Sequence, residues 1–83
     1  MKIFLTTFYF DHIILTRRPY VSLDICIKII AEPIYSENQH DGRIRYWGIH
    51  EGRYLRVVTL EDGLTIHNAF FDRNFDLSKR GHG

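Results

Sequence analysis

Residues 41–71 read DGRIRYWGIHEGRYLRVVTLEDGLTIHNAFF, and three acidic-glycine pairs, Asp41-Gly42, Glu51-Gly52 and Asp62-Gly63, punctuate them at tight-turn spacing. The stretches between, about 43–50, 53–60 and 64–71, are rich in Ile, Val, Tyr, Trp, Phe and Thr, side chains that suit a pleated, half-buried surface. Each pair reverses the chain. With residues 34–39 as a fourth strand, the segment reads as an antiparallel meander.

Upstream the period is different. Residues 2–9 read as a strand, followed by a short helix from an Asp11 cap to about Arg17, stopped before Pro19. Ser22 is the next cap, with Asp24 in the first turn where the helix dipole favours an anion. Leu23, Cys26, Ile27 and Ile30 then recur at i, i+3, i+4 and i+7, which predicts a helix ending near Glu32-Pro33. The expected fold is α+β, with two N-terminal helices packed on one face of an antiparallel β-meander. Residues 1–75 form the domain and 76–83 a flexible C-terminal tail.

At 83 residues the chain has room for one core, which excludes large enzyme scaffolds. Hydrophobic residues at 45% and charged residues at 25% predict folding rather than disorder. The single cysteine, Cys26, excludes an internal disulfide and a four-thiolate zinc site and points to a reducing cytoplasm. The apolar start is followed by Asp11-His12 where a signal peptide needs a small-residue cleavage site, so it is read as a strand. No run approaches the ~18 apolar residues of a membrane span, so no membrane partner is expected.

The turns set a register that sorts the side chains. If Glu51-Gly52 is a two-residue turn, His50 faces Arg53, Trp47 faces Arg56 and Arg45 faces Val58. A second such turn at Asp62-Gly63 puts Val58 opposite His67 and Arg56 opposite Ala69. One face then carries Ile44, Tyr46, Gly48, Leu55, Val57, Thr59, Ile66, Asn68 and Phe70 and covers the helices. The other carries Arg43, Arg45, Trp47, Ile49, Tyr54, Arg56, Val58, Thr65, His67, Ala69 and Phe71. The acidic residues of the region, Glu51, Glu61, Asp62 and Asp72, fall in turns or beyond the last strand. The expected outer face is therefore cationic although the net charge is only +1.

Guanidiniums beside an imidazole suit RNA cleavage by internal transfer, in which the 2'-hydroxyl attacks the adjacent phosphorus and no metal or enzyme nucleophile is required. His67 supplies proton transfer near neutral pH. Arg45 and Arg56 stabilise the phosphorane charge, Arg43 adds a cation, and Trp47, Tyr54 or Phe71 stacks a base. Plainer readings stand beside these: a surface cation–π pair for Arg56 with Trp47, a structural His67, and a satisfied core amide for Asn68. The histidines lack metal-site spacing, so no metal and no cofactor are expected, and Cys26 on a buried stripe reads as inert. Asp72-Arg73 and Lys79-Arg80 read as partner contacts or as a solvated end.

The segments Asp41-Gly42-Arg43-Ile44-Arg45-Tyr46-Trp47-Gly48, Tyr54-Leu55-Arg56-Val57-Val58-Thr59 and His67-Asn68-Ala69-Phe70 resemble small toxins of the RelE superfamily, nearest its BrnT-like branch, over roughly residues 8–73. The resemblance implies a toxin of a bacterial type II toxin–antitoxin pair: a metal-independent endoribonuclease with helices against an antiparallel sheet, silenced by a cognate antitoxin protein. The positions carried over are Arg45, Arg56 and His67, with Arg43 and Trp47. The chain departs from ribosome-dependent members in having no long Lys/Arg-rich C-terminal helix, which leaves free RNA, or no catalysis, as the readings.

The second helix bears on partners independently. Ile25 and Ile29 lie off its main stripe, so residues 23–30 are apolar on more than one side. A homodimer, a hetero-oligomer with an antitoxin, or the N-terminal strand would cover the excess. The rival to an RNA-cleaving toxin is a non-enzymatic module that binds protein or nucleic acid through the same surfaces.

Overall fold

A computed structural model describes residues 3–79. In chain order it contains β1 (Leu5–Thr6), a π-helical turn (Phe10–Ile14) that runs into α1 (Leu15–Arg17), α2 (Leu23–Ala31), β2 (Tyr35–Asn38), β3 (Ile44–His50), β4 (Arg53–Thr59), β5 (Thr65–Phe71) and a 3-10 turn (Leu77–Lys79). The strands form one sheet in the order β1-β5-β4-β3-β2. The α+β class is as expected. The sheet, however, is mixed: β2 to β5 are antiparallel neighbours, whereas β1 pairs parallel with β5. The helical crossover carries the chain from β1 to the far edge, and three reversals bring it back beside β1 running in the same direction.

The first strand is shorter than expected because a cap interrupts it. Thr7 Oγ1 accepts from the Phe10 N–H at 3.1 Å, and the Thr7 carbonyl accepts from the Asp11 N–H at 3.1 Å. Helical structure therefore starts at Phe8, ahead of the Asp11 cap read from the sequence. Ser22 caps α2 as expected, its hydroxyl accepting from the Ile25 N–H.

The Glu51-Gly52 reversal has positive φ at both residues, 54° and 73°, the conformation a two-residue hairpin requires. It fixes the β3–β4 register as predicted, with Trp47 opposite Arg56 and Arg45 opposite Val58. The β4–β5 pairing departs after its first pair. Thr59 pairs with Ile66, but Val58 pairs with Asn68, so His67 is an extra residue on β5, a β-bulge. Every later residue of β5 consequently faces opposite to expectation. Arg56 lies against Phe70 rather than Ala69, and Ala69 and Phe71 join the helix side while Asn68 and Phe70 leave it.

The core lies between that side and the helices: Phe10, Ile14, Val21, Cys26, Ile29, Ile30, Leu55, Val57, Ile66 and Ala69. Along α2 the buried positions are Cys26, Ile29 and Ile30, whereas Leu23 is exposed, so the stripe is rotated from the one read in the sequence. Ile25 and Ile27 pack against the core while remaining partly exposed. Gly48 explains the rotation. A Cβ there would stand 2.7 Å from Ile29 Cγ1, so the missing side chain lets Ile29 seat directly on β3. No helix among the described residues is long and apolar enough to cross a membrane. Within the expected tail, Asp76 bonds Ser78 at the 3-10 turn, and Arg80 lies outside the described residues.

Gly48→Ala is expected to destabilise the protein by roughly 1–3 kcal/mol, the usual cost of overpacking. Urea denaturation should show a lowered midpoint with an unchanged slope. Adding Ile29→Ala should make the two changes non-additive, because the smaller side chain removes the clash.

Candidate functional site

The face of the sheet away from the helices is divided in two. Over its lower half the chain after β5 folds back and lays Phe75 on Trp47, with ring centroids 4.7 Å apart. Tyr35 and Tyr54 complete this aromatic cluster, Tyr54 meeting Phe75 edge-on at 4.9 Å. Trp47 is only 1% exposed. This corrects one expectation, since the buried Trp47 cannot offer its ring to a base, whereas Tyr54 is half-buried with its ring against Phe75. Phe71, the third stacking candidate, is turned to the helix side by the bulge and stacks on Tyr20.

The upper half stays open as a cleft of about 280 Å³ lined by Tyr9, Gln39, Arg43, Arg45, Arg56, Val58, His67, Asn68 and Phe70. The three expected arginines and the histidine thus meet on one surface. Asn68 and Phe70, both assigned from the sequence to the core, are there because of the bulge. The side chains at a bulge and the next position project to the same side, so His67 and Asn68 stand together opposite Val58.

The cations have acidic company, contrary to the acid-free face read from the sequence. Arg45 Nη1 meets Glu37 Oε1 at 3.1 Å, because β2 pairs with β3 and sets Glu37 opposite Arg45. The Gln39 amide oxygen, turned toward Arg45, accepts from its Nη2 at 2.7 Å and its Nε at 3.2 Å. Arg56 Nε lies 3.4 Å from Asp72 Oδ2, and its guanidinium sits 4.4 Å from the Phe70 ring centroid. The expected Arg56–Trp47 cation–π contact is present at 5.8 Å, but against a buried ring rather than at the surface. Arg43 is the most loosely held, its Nε 3.8 Å from Asp41 and its side chain 44% exposed.

His67 is oriented from the segment that follows β1. Its Nδ1 lies 3.0 Å from Thr7 Oγ1, and Tyr9 tilts over the ring at a centroid distance of 5.1 Å. Partial burial, assisted by the positive charge of Arg43, lowers its pKa from the ordinary 6.5, so the neutral imidazole prevails at neutral pH. When Nδ1–H donates to Thr7, Nε2 is the basic nitrogen. Asp72 is pulled two ways. Desolvation raises its pKa, but the Trp47 indole N–H at 3.0 Å, the Arg56 charge and the Asn74 and Phe75 amides together hold it below the ordinary 3.8.

Burial pushes the Cys26 thiol up to about 12, which removes it as a nucleophile. Among the described residues no three His, Cys, Asp or Glu side chains come together as a cation site. Sequence reading missed Tyr9 and Gln39, which line the cleft, and Thr7, which holds the His67 ring; all three follow strands, β1 or β2, whose pairings bring them there. It also missed Arg18, whose Nη1 donates to Asn68 Oδ1 at 2.8 Å and to the Ala69 carbonyl at 3.1 Å. No family model, curated protein or solved structure matches the chain.

Two titrations follow. The His67 ring resonances should titrate below pH 6.5, and Arg43→Ala should move the midpoint upward, as followed by NMR. Stability tied to Asp72 is complete above its unfolded value of 3.8 and is lost as pH falls through the lower folded value. Trp47 fluorescence should therefore report loosening of the 72–76 segment in acid, and Asp72→Ala should show that loosening already at neutral pH.

Proposed function

We propose that the protein is a metal-independent endoribonuclease, acting as the toxin of a bacterial type II toxin–antitoxin pair as its RelE- and BrnT-like sequence features suggest. One observation carries the reading: an imidazole biased to the neutral form shares a cleft with three guanidiniums. A neutral imidazole is the form that accepts a proton, and guanidinium is the group that forks around a phosphate.

In the proposed step His67 Nε2 takes the proton from a ribose 2'-hydroxyl as that oxygen attacks the adjacent phosphorus. The O2'–P bond forms, the P–O5' bond breaks, and the departing 5'-oxygen takes a proton from water, whose hydroxide takes up the proton held on His67 and restores the base. The products are a 2',3'-cyclic phosphate and a 5'-hydroxyl end. Arg43, the most exposed of the three guanidiniums, meets the phosphate first. Arg45 and Arg56, fixed by Glu37 and Asp72, add preorganised charge for the phosphorane. A cognate antitoxin would silence the toxin by covering the cleft or the partly exposed side of α2, the helix that would otherwise join two copies of the chain.

A second reading has its own support. The carboxylates beside Arg45 and Arg56 compensate their charge, as in a module that holds RNA or protein without cutting it.

Inducible expression should arrest growth unless the adjacent open reading frame is co-expressed. In EDTA the purified protein should cut free RNA to cyclic-phosphate ends. His67→Ala, with the fold intact, should slow cutting by roughly 10²–10⁴-fold. Undiminished cutting by that variant removes His67 from the mechanism, and RNA retained but uncut, without growth arrest, selects the binding module.

A further inference from the structure

Among the polar groups of the cleft that the proposed mechanism does not use, the side chain of Asn68 stands beside both His67 and Arg56. Its Oδ1 accepts twice, from Arg18 Nη1 at 2.8 Å and from the Ala69 N–H at 2.8 Å. Both bonds fall on the oxygen. They fix which end of the amide is which and leave the Nδ2 hydrogens as the end they do not occupy, on a side chain that lines the cleft beside His67 and Arg56. Arg18 belongs to none of the cleft walls. It comes from the end of α1, crosses the edge of β5 and also binds the Ala69 carbonyl, a strand-edge acceptor beyond the stretch that β1 pairs.

We infer that Asn68 is a further phosphate-contacting residue: its Nδ2–H donates to a non-bridging oxygen of a phosphate held among Arg43, Arg56 and His67, and Arg18 is the positioning residue that keeps the amide turned that way. The inference rests on reading the cleft as a phosphate site and does not require that RNA be cut. A fixed neutral donor complements guanidinium. It adds a directional hydrogen bond without bringing a further charge beside His67, where added positive charge would depress the base more. The bulge matters because it delivers a donor and a base from consecutive residues to one side of the sheet, which an unbroken strand cannot do.

Asn68→Asp separates this role from simple capping of the sheet edge. The substitution keeps an oxygen for Arg18 and Ala69 but replaces the donor with a second carboxylate oxygen. Thermal stability should hold or rise, because Arg18 gains an anionic partner. Affinity for inorganic phosphate, and for a 2'-O-methyl oligoribonucleotide that cannot be cut by internal transfer, should fall by about tenfold or more. In the wild type the Asn68 side-chain amide resonances should move on phosphate titration, and Arg18→Ala should weaken binding while leaving the Asp variant no worse. Amide resonances that stay in place at the highest phosphate concentration, or an Asp variant that binds as tightly as wild type, overturn the inference. Phosphate binding through Asn68 by a protein that leaves RNA uncut would uphold it and end the nuclease reading.

Discussion

One extra residue in β5 decides what this sheet can do. Before His67 the strand alternates in phase with β4; after it, in the opposite phase. The core gains Ala69 and Phe71, and the open face gains Asn68 and Phe70 alongside the histidine. Without the bulge, Asn68 would point its amide into the apolar layer under the helices, where an unsatisfied polar group costs about 1–3 kcal/mol. Ala69 would face Arg56 in place of the Phe70 ring that now supports it. Packing under the helices and composition of the cleft are two results of the same register shift.

The C-terminal segment imposes the second division. By setting Phe75 on Trp47 it converts half of the outer face into a small aromatic core and confines the polar chemistry to the other half. Asp72 marks the boundary, receiving the Trp47 indole N–H on one side and facing Arg56 on the other. Its carboxylate therefore couples the folded-back segment to the charge of the cleft, and the same protonation that loosens the segment would release Arg56 from its partner. A chain this short has little apolar surface to bury. Using both sides of the sheet recovers some of it.

Much of the fold was legible because local signals agreed. The Glu51-Gly52 turn, the Ser22 cap and the helical repeat of α2 each acted within a few residues, and the β3–β4 register followed from the turn alone. What escaped depended on distance in sequence. Glu37 neutralises Arg45 only because β2 pairs with β3, and Asp72 reaches Arg56 only because its N–H extends the β4–β5 ladder onto the Tyr54 carbonyl. Thr7 meets His67 across 60 positions. The rotation of α2 depended on Gly48, whose bare backbone admits Ile29 and so favours a buried stripe other than the most regular one. The bulge had a local trace: His67-Asn68 are consecutive polar residues within an otherwise alternating strand, and Ile66 to Ala69 is a spacing of three where a flat strand requires two.

The compensated charges also bear on how the cleft would hold an anion. A patch of unpaired arginines attracts any polyanion from a distance, and that attraction is strongly screened by salt. Here Glu37 sits on Arg45, Asp72 on Arg56 and Asp41 near Arg43, so the far field is weak and the net charge of +1 is not concentrated into a large positive region. Recognition of a phosphate, as proposed, would then come at short range, from donors already aimed before the anion arrives. The carboxylates that weaken long-range attraction are also what fix the guanidiniums in place, Glu37 and Gln39 together holding Arg45 from two sides. Such an arrangement gives up steering in exchange for lower reorganisation when charge develops on a bound phosphate, the condition under which fixed dipoles and cations act most strongly on a transition state. A cleft with two compensated guanidiniums, a third more loosely held, an imidazole biased to the neutral form and an anchored amide would suit discriminating geometry rather than gathering charge.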